Sequence, residues 1–244
     1  RLDLLYSDHF EDLALALASP GAGSVAVLVQ PAALTRGLGQ SLPENVRLFE
    51  DSPVLKIETG QVHSLTTAQG CIKAPRLVLA NNAYAANFGQ LGLKGRLLPI
   101  YTYASMTRQL TAEELARLGG EDSWGLIPAD PLGSTVRRLG NGRICVRNSF
   151  TYNPDVHASA ATLQRVRRAH RTSFERRFPM LADVAFEYTW GGALCISRNS
   201  GSVFGEIAPG VFSAVCCNGL GLTRSRAHAE AMEQHDIGPI DIAW

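Results

Sequence analysis

Asn218-Gly219-Leu220-Gly221 is the stretch whose residue types could hold a charged group. It follows an apolar run, 211–217, with strand composition, and it precedes a helix-like segment from about 222 to 232. A strand that turns through glycines into a helix start leaves backbone N–H groups pointing at one place, backed by the positive end of the helix dipole. Such a corner accepts phosphate or another negatively charged group. Glycine lets that group come close to the backbone. The same pattern also describes an ordinary strand–turn–helix corner, so other residues must decide between the two.

Those other residues supply no self-contained catalytic set. The chain has no H-E-x-x-H, no G-x-S-x-G and no P-loop. His9, His63, His157, His170, His228 and His235 are scattered without metal-ligand spacing, so no metal site is expected. The cysteines are Cys71, Cys145, Cys195, Cys216 and Cys217, with no C-x-x-C pair. Their odd number argues against a disulfide framework and for a reducing, cytoplasmic setting. Each lies in a strand-like apolar run, where a thiol packs as a small hydrophobe. Cys216-Cys217 as a redox pair is the less favoured reading. A chain of this size with no evident acid, base or nucleophile either binds something or takes its chemistry from a cofactor. No catalytic side chain is assigned.

Composition narrows the classes further. The chain has 244 residues, 45% hydrophobic and 18% charged, with a net charge of +1. That suffices for a large core or two domains. Near-neutral charge argues against a nucleic-acid surface. No apolar run approaches the ~18 residues of a membrane span. The first residues, RLDLLYSDHF, carry no signal-peptide pattern and no initiator Met, so processing or truncation is expected.

The elements that would position the glycine corner can be read in order. Residues 10–18 are helix-like and are broken by Ser19-Pro20-Gly21. Residues 25–29 form a short apolar run. Pro31 opens a helix to about Ser41, with Leu34 and Leu38 on one face. Residues 46–49 read as a short strand. Residues 54–58, 62–67 and 71–73 alternate between turn signals, as in a three-stranded meander. Residues 76–80, RLVLA, form a continuous apolar run suited to a strand buried on both faces of a parallel sheet.

After Pro99 the texture becomes aromatic and alternating, with a strand over 100–107. Residues 111–118 form a helix with Thr111 as N-cap and Glu114 at the capping-box position. Strands follow at 124–127, 135–139 and 143–147, with a hairpin turn at Asn141-Gly142. Residues 159–178 form an amphipathic helix with Leu163, Val166, His170, Phe174 and Phe178 on one face. Its arginines Arg165, Arg168, Arg171 and Arg176 lie largely off that face, as a solvated surface. A long strand, 186–196, contains Gly191-Gly192, which suggests an interruption by a bulge or a close approach to a ligand. A hairpin over 203–217 turns at Pro209-Gly210. The tail 233–244 has no clear period and is left unassigned.

Three stretches taken together resemble the D-amino-acid oxidase-like family of FAD-dependent amine oxidoreductases. They are VQPAALTRGL at 29–38, SPVLKIETG…GCIKAPRLVLANNAY at 52–84, and WGGALCISRNSGSVFGEIAPGVFSAVCCNGLGLTRS at 190–225. The similarity runs from about Val25 to Met232, and it is greatest to the bacterial gamma-glutamylputrescine oxidase-like and DadA-like branch. The resemblance implies an α/β (α+β) fold. A partial Rossmann-like FAD-binding domain with a β-meander insertion would take 24–96 and 203–232. A substrate domain, built on a mostly antiparallel sheet flanked by helices, would take 1–23 and 97–202.

It also implies roles at matching positions. Val54 would touch the adenine end of FAD through its backbone. Ala80, Asn81 and Asn82 would pass near the pyrophosphate. Asn218, Gly219, Leu220, Gly221, Leu222 and Thr223 would present N–H groups to the flavin pyrimidine ring. That last role agrees with the anion-binding corner read from the residues alone, because a reduced flavin carries negative charge that a helix start stabilises. The glycine fingerprint G-x-G-x-x-G that opens this family is absent. Gly21-Ala22-Gly23-Ser24 is not that motif, since it follows a helix-like segment and leads into no helix with the third glycine. The sequence therefore reads as lacking the first βαβ unit, and this chain alone is expected to hold little FAD.

The implied activity is oxidation of the C–N bond of a small amine or amino acid, with the imine product hydrolysed in water. Amino-acid oxidases of the family hold the substrate carboxylate with an arginine in the strand after the W-x-G segment. Laying Trp190-Gly191-Gly192 on that pattern puts Leu194 at the arginine position, with Arg198 four residues on. Leucine cannot pair with a carboxylate. Tyr103 and Trp190 would offer aromatic faces to an ammonium group instead. An amine, including a gamma-glutamylputrescine-like one, is therefore expected over a free α-amino acid. Two alternatives stand beside this reading. One is a non-catalytic flavoprotein-derived domain. The other is an FAD-dependent tRNA-modification enzyme, which the near-neutral charge disfavours.

Overall fold

The computed structural model describes residues 30–130, 133–234 and 242–243. In chain order the elements are α1 (Pro31–Gln40), β1 (Lys56–Glu58), β2 (His63–Thr66), β3 (Cys71–Ala74), β4 (Leu77–Leu79) and β5 (Leu97–Thr107). Next come α2 (Ala112–Leu118), β6 (Trp124–Leu126), β7 (Thr135–Leu139), β8 (Arg143–Tyr152), α3 (Ala160–Arg177) and β9 (Phe186–Ser197). The last are β10 (Val203–Ala208), β11 (Val211–Val215), α4 (Gly221–Gln234) and β12 (Ile242–Ala243). Helices and sheets are thus mixed, as an α/β chain requires. The expected helix at 10–18 and the apolar run at 25–29 lie outside the described residues.

The chain divides into two compact units. Among described residues, one unit holds 102–151 and 157–192, and the other holds 35–101, 152–156 and most of 193–243.

In the second unit, β4 is the pivot. Leu77, Val78 and Leu79 are all buried, each worth roughly 1.5–3 kcal/mol relative to exposure. Leu77 and Leu79 pack with Ile57 and Leu65 of the meander and with Val211 and Val215 of β11. Val78 faces the other way, onto Met232 of α4 together with Phe212 and Phe204. Burial on both faces explains why RLVLA reads as a continuous apolar run. β11 runs parallel to β4, with Phe212 opposite Val78, and the sheet order is β10-β11-β4-β12. Part of the tail is thereby placed, because Ile242 and Ala243 pair parallel with β4. The meander β1-β2-β3 is antiparallel throughout, with Ile57 opposite Leu65 and Leu65 opposite Ile72.

Two expectations fail in this unit. Residues 46–49 form no strand, and Leu48 and Phe49 are exposed at 40% and 58%. Their apolar composition suits a strand, but no neighbouring strand pairs with them. Cys71 also is exposed rather than buried, because it sits on the open side of β3.

The first unit is a sheet of order β6-β7-β8-β5-β9 with α3 against it. β6, β7 and β8 pair antiparallel. Val136, Ile144 and Val146 of the sheet pack with Phe174 of α3 and with Phe186 of β9. Phe174 meets Phe186 edge-on at 5.4 Å. β9 runs straight through Gly191-Gly192, and neither glycine has a positive φ. The strand is thus continuous at the glycine pair.

Two polar devices lock this unit. His170 of α3 is buried, with its Nδ1 2.8 Å from the Ser105 hydroxyl, which also lies 3.0 Å from the Thr189 hydroxyl. Burial depresses the His170 pKa from its ordinary 6.5. The capping box of α2 forms as the sequence reads. The Thr111 hydroxyl accepts the Glu114 N–H at 3.2 Å, and a Glu114 carboxylate oxygen accepts the Thr111 N–H at 2.8 Å. Arg108 donates to both Glu114 oxygens at 2.7 Å. The Arg108 guanidinium, then the Thr111 N–H, hold the Glu114 carboxyl down to about 2.

These shifts set the pH dependence of stability. A histidine kept neutral by burial contributes fully above its ordinary 6.5, and the contribution falls as pH drops below it. A depressed carboxyl contributes above its ordinary 4.5, and that contribution is lost as pH falls toward 2. Thermal unfolding followed from pH 8 downward should show both losses in turn. Glu114→Gln should shrink the lower one while leaving the upper. A lower loss of unchanged size in that variant would contradict this account.

Candidate functional site

The carboxyl ends of the parallel strands β4 and β11 lie side by side, the position at which α/β sheets bind ligands. Both strands end in unusual backbone. Asn82, Cys216, Asn218 and Gly219 have φ of 49°, 66°, 50° and 82°. Left-handed asparagine is tolerated because its short polar side chain bonds locally, whereas a left-handed cysteine is costlier and must be held in place.

The holding groups are Asn82 and Asn218. The Asn82 side-chain oxygen accepts the N–H groups of Cys216 at 3.1 Å and Cys217 at 3.3 Å. The Asn82 amide nitrogen lies 3.7 Å from the Cys217 sulfur. Asn218 uses its oxygen to accept the Ser197 N–H at 2.9 Å. Its amide nitrogen donates to the carbonyls of Cys216 at 3.1 Å and Gly201 at 3.2 Å. The Asn218 N–H donates to the Cys195 carbonyl at 3.1 Å, and the Leu220 N–H to that of Cys217 at 3.0 Å.

This corrects part of the sequence reading. Asn82 and Asn218 are internal ties, and the N–H groups of Asn218 and Leu220 are already used. At the corner the N–H groups of Gly219 and Gly221 make no hydrogen bond among the described residues. The first intrahelical bond of α4 runs from the Arg224 N–H to the Leu220 carbonyl, so the three N–H groups before it have no intrahelical partner. No acidic residue occupies the first turn of α4.

Three observations bear on whether a flavin nucleotide suits this rim. A Cβ built on Gly219 would meet nothing within 4 Å, so space lies open above the donors. The side-chain oxygen of Asn81 is buried without a partner at the end of β4. Val54 lines a cleft of about 380 Å³ with Val46, Leu48, Phe49, Leu65 and Ile72, which meets β4 only at Leu77, the first residue of that strand. Donors beside open space and an unsatisfied polar group fit the anionic part of such a cofactor; the apolar cleft shares no lining residue with them. Residues 46–49, misread as a strand, are walls of that cleft. Ala80 is half-buried between β4 and the rim. Gly221 has no positive φ, and a Cβ there would make only ordinary contact with Cys217 at 3.6 Å.

The expected substrate residues are distributed differently. Tyr103 is buried, with its hydroxyl 2.9 Å from that of Thr151, so it packs the sheet. Trp190 is 41% exposed and lines a cleft of about 550 Å³ with Met106, Leu163, Arg167 and Tyr188. Leu194 is half-buried and Arg198 exposed. Among the described residues no cluster of three or more metal-ligating side chains occurs. Ser105 and His170 have the spacing of a nucleophile and its base, which sequence distance concealed. Both are closed off from solvent, so the pair is a core tie. Cys195 and Cys216 are buried free thiols, and burial, with Cys216 beside it, pushes the Cys195 thiol up.

A parallel-sheet rim with a helix start is the kind of place at which α/β sheets hold the phosphate-bearing part of a nucleotide cofactor. Residues 11–235 match the family described as FAD dependent oxidoreductase, and the chain belongs to it. FAD is that family's cofactor. The chain is 26% identical over 178 residues to the gamma-glutamylputrescine oxidoreductase of Escherichia coli (strain K12), covering 72% of this chain and 40% of that protein. It is 27% identical over 189 residues to the probable oxidoreductase OrdL of Rhizobium meliloti (strain 1021), covering 75% and 41%. The chain thus spans about 40% of the length of these relatives. Glycine oxidase from Geobacillus kaustophilus shares its fold with a TM-score of 0.58 at 21% identity, over 80% of this chain and 51% of that one. L-proline dehydrogenase from P. horikoshii does so with a TM-score of 0.58 at 19%, over 78% and 52%. Among the described residues no helix is long and apolar enough to cross a membrane.

The Asn82 tie is open to test. Asn82→Ala leaves two N–H groups unpaired in a strained turn and should cost about 2–4 kcal/mol. Asn82→Asp keeps the acceptor and should recover most of that loss. Urea unfolding of the three proteins measures it. An alanine variant within about 0.5 kcal/mol of the parent would remove the tie from the account.

Proposed function

We propose that the protein works as an FAD-dependent oxidoreductase on the C–N bond of an amine, in preference to a free α-amino acid. The observation that carries this reading is the pair of N–H groups at Gly219 and Gly221, at a helix start beside open space at the carboxyl ends of β4 and β11. When bound, the flavin supplies the acceptor for the hydride leaving the substrate carbon. The chain's part is to hold and to polarise. The α4 start offers donors and a positive dipole end to whatever negative charge develops beside them. Val54 and its cleft would seat the adenine end, and Asn81 would complete its own bonding with the cofactor's polar groups.

Hydride can leave the substrate carbon only as the nitrogen lone pair forms the imine, so the amine reacts in its neutral form. Oxidation should therefore rise with pH as the amine loses its proton. The preference for an amine draws on Leu194, which occupies the place of the carboxylate-binding arginine and cannot pair with that group. It draws also on Trp190, whose exposed ring can face a cation before deprotonation. The relative named for gamma-glutamylputrescine points to the same class.

The test supplies FAD to the protein and follows bleaching of the flavin band under anaerobic conditions. Putrescine, its γ-glutamyl amide, and D- and L-amino acids are compared by kcat/KM. The amines should lead by about tenfold or more, equivalent to ~1.4 kcal/mol in the transition state. Gly219→Val, which fills the open space and strains a turn that needs a φ of 82°, should weaken FAD binding. Preference for a simple α-amino acid would reverse the substrate assignment, and Arg198→Ala would then show whether that arginine holds the carboxylate. Bound flavin that no amine bleaches would favour a non-catalytic domain.

A further inference from the structure

β7 and β8 pair with Thr135 opposite Arg147, Val136 opposite Val146 and Arg137 opposite Cys145. Val136, Ile144 and Val146 point into the core against α3. Strand alternation then puts Thr135, Arg137, Cys145 and Arg147 on the other face of the sheet. Arg137 and Arg147 are diagonal neighbours there, a separation long side chains span easily.

Arg147 is fixed in position. Its Nη2 donates to the Thr135 hydroxyl at 2.7 Å, and its guanidinium lies 5.0 Å from the centre of the Phe150 ring. Four other arginines of this unit have carboxylates, whereas those such as Arg165 and Arg168 on α3 do not. Arg108 pairs with Glu114, Arg138 with Asp122, Arg143 with Glu187 and Arg171 with Glu175. Arg137 and Arg147 have none within ion-pair distance among the described residues. Burial, and then the Arg137 charge, lower the Arg147 pKa. The Arg137 charge also opposes the rise that burial gives the Cys145 thiol. A fixed cation, Arg147, thus has a second cation, Arg137, at the diagonal position of the paired strand, and neither has a carboxylate partner among the described residues. Like charges on paired strands destabilise a sheet, so the arrangement costs stability and wants a negative group.

We propose that Arg137 and Arg147, with the Thr135 hydroxyl, form a binding site for an organic carboxylate. Two guanidinium forks match the two oxygens of that group. The Phe150 ring beside them offers an apolar wall to the attached carbon chain, which an inorganic anion would not use. The site takes the anionic end of an amine substrate that carries a carboxylate away from its reacting C–N bond. That last assignment rests on the oxidoreductase reading, whereas the carboxylate site itself does not.

Calorimetric titration of the full chain tests it, with glutarate as probe and with putrescine and inorganic phosphate in separate arms. Glutarate should bind the parent protein. Arg137→Gln should weaken it by about tenfold or more through loss of one charge-assisted contact, and Arg137→Lys should fall between. Arg137→Gln should also melt at the same temperature as the parent or higher, because a like charge has gone, so weakened binding cannot be ascribed to unfolding. Glutarate binding unchanged in Arg137→Gln, glutarate failing to bind, or phosphate binding as tightly as glutarate would each overturn the proposal. Failure of the oxidoreductase reading would show separately, as amines that bleach no flavin while glutarate binding persists.

Discussion

Asn82 receives the N–H groups of Cys216 and Cys217 on its side-chain oxygen, and this pair of bonds fixes the end of β11 against the end of β4. Without it, a left-handed Cys216 would have little to hold it. The turn that follows depends on that hold. Asn218 then binds the turn to Ser197 and Gly201, so the entry into α4 is tied from two sides. The backbone at Gly219 and Gly221 is held by these ties, so the polar side chains act as a frame and leave those N–H groups to a ligand under the proposed function.

Burial of β4 on both faces makes that frame rigid. Leu77 and Leu79 lean on the meander side and Val78 on the α4 side, so neither strand end can shift without opening a packed layer. Phe204 stacks on His228 of α4 at 4.6 Å, which anchors the helix to the same sheet. The other unit divides its work by face. One face of its sheet carries Val136, Ile144 and Val146 into the core with α3. The opposite face carries Arg137 and Arg147, whose charges no described carboxylate balances.

What could be read from the sequence was what depends on neighbours in the chain. Thr111 and Glu114 stand three residues apart and cap α2 as their types require. Pro209-Gly210 turns the β10–β11 hairpin with Gly210 at φ 70°. RLVLA carried its two-sided burial in its composition, and Asn218–Gly221 carried the strand–turn–helix corner in its residue types. What could not be read depends on distant partners. Asn82 meets residues 134 and 135 positions away, and no local pattern signals that. Residues 46–49 have the composition of a strand without a strand beside them. Tyr103 offers the same ring to a pocket or a core, and only the position of Thr151 assigns it to the core. The arginines of β7 and β8 were visible as charges, but their meeting depends on a register that sets Thr135 opposite Arg147.

The central claim is that the backbone at the start of α4 faces the flavin. Hydrogen exchange of individual amides, measured on the chain with and without added FAD, tests it most directly. Exchange should slow at Gly219 and at 221–223 when FAD binds. The amides of α3, which belong to the other unit, should be unchanged. Flavin that binds, as shown by quenching of its fluorescence, while those four amides exchange as fast as before would contradict the account.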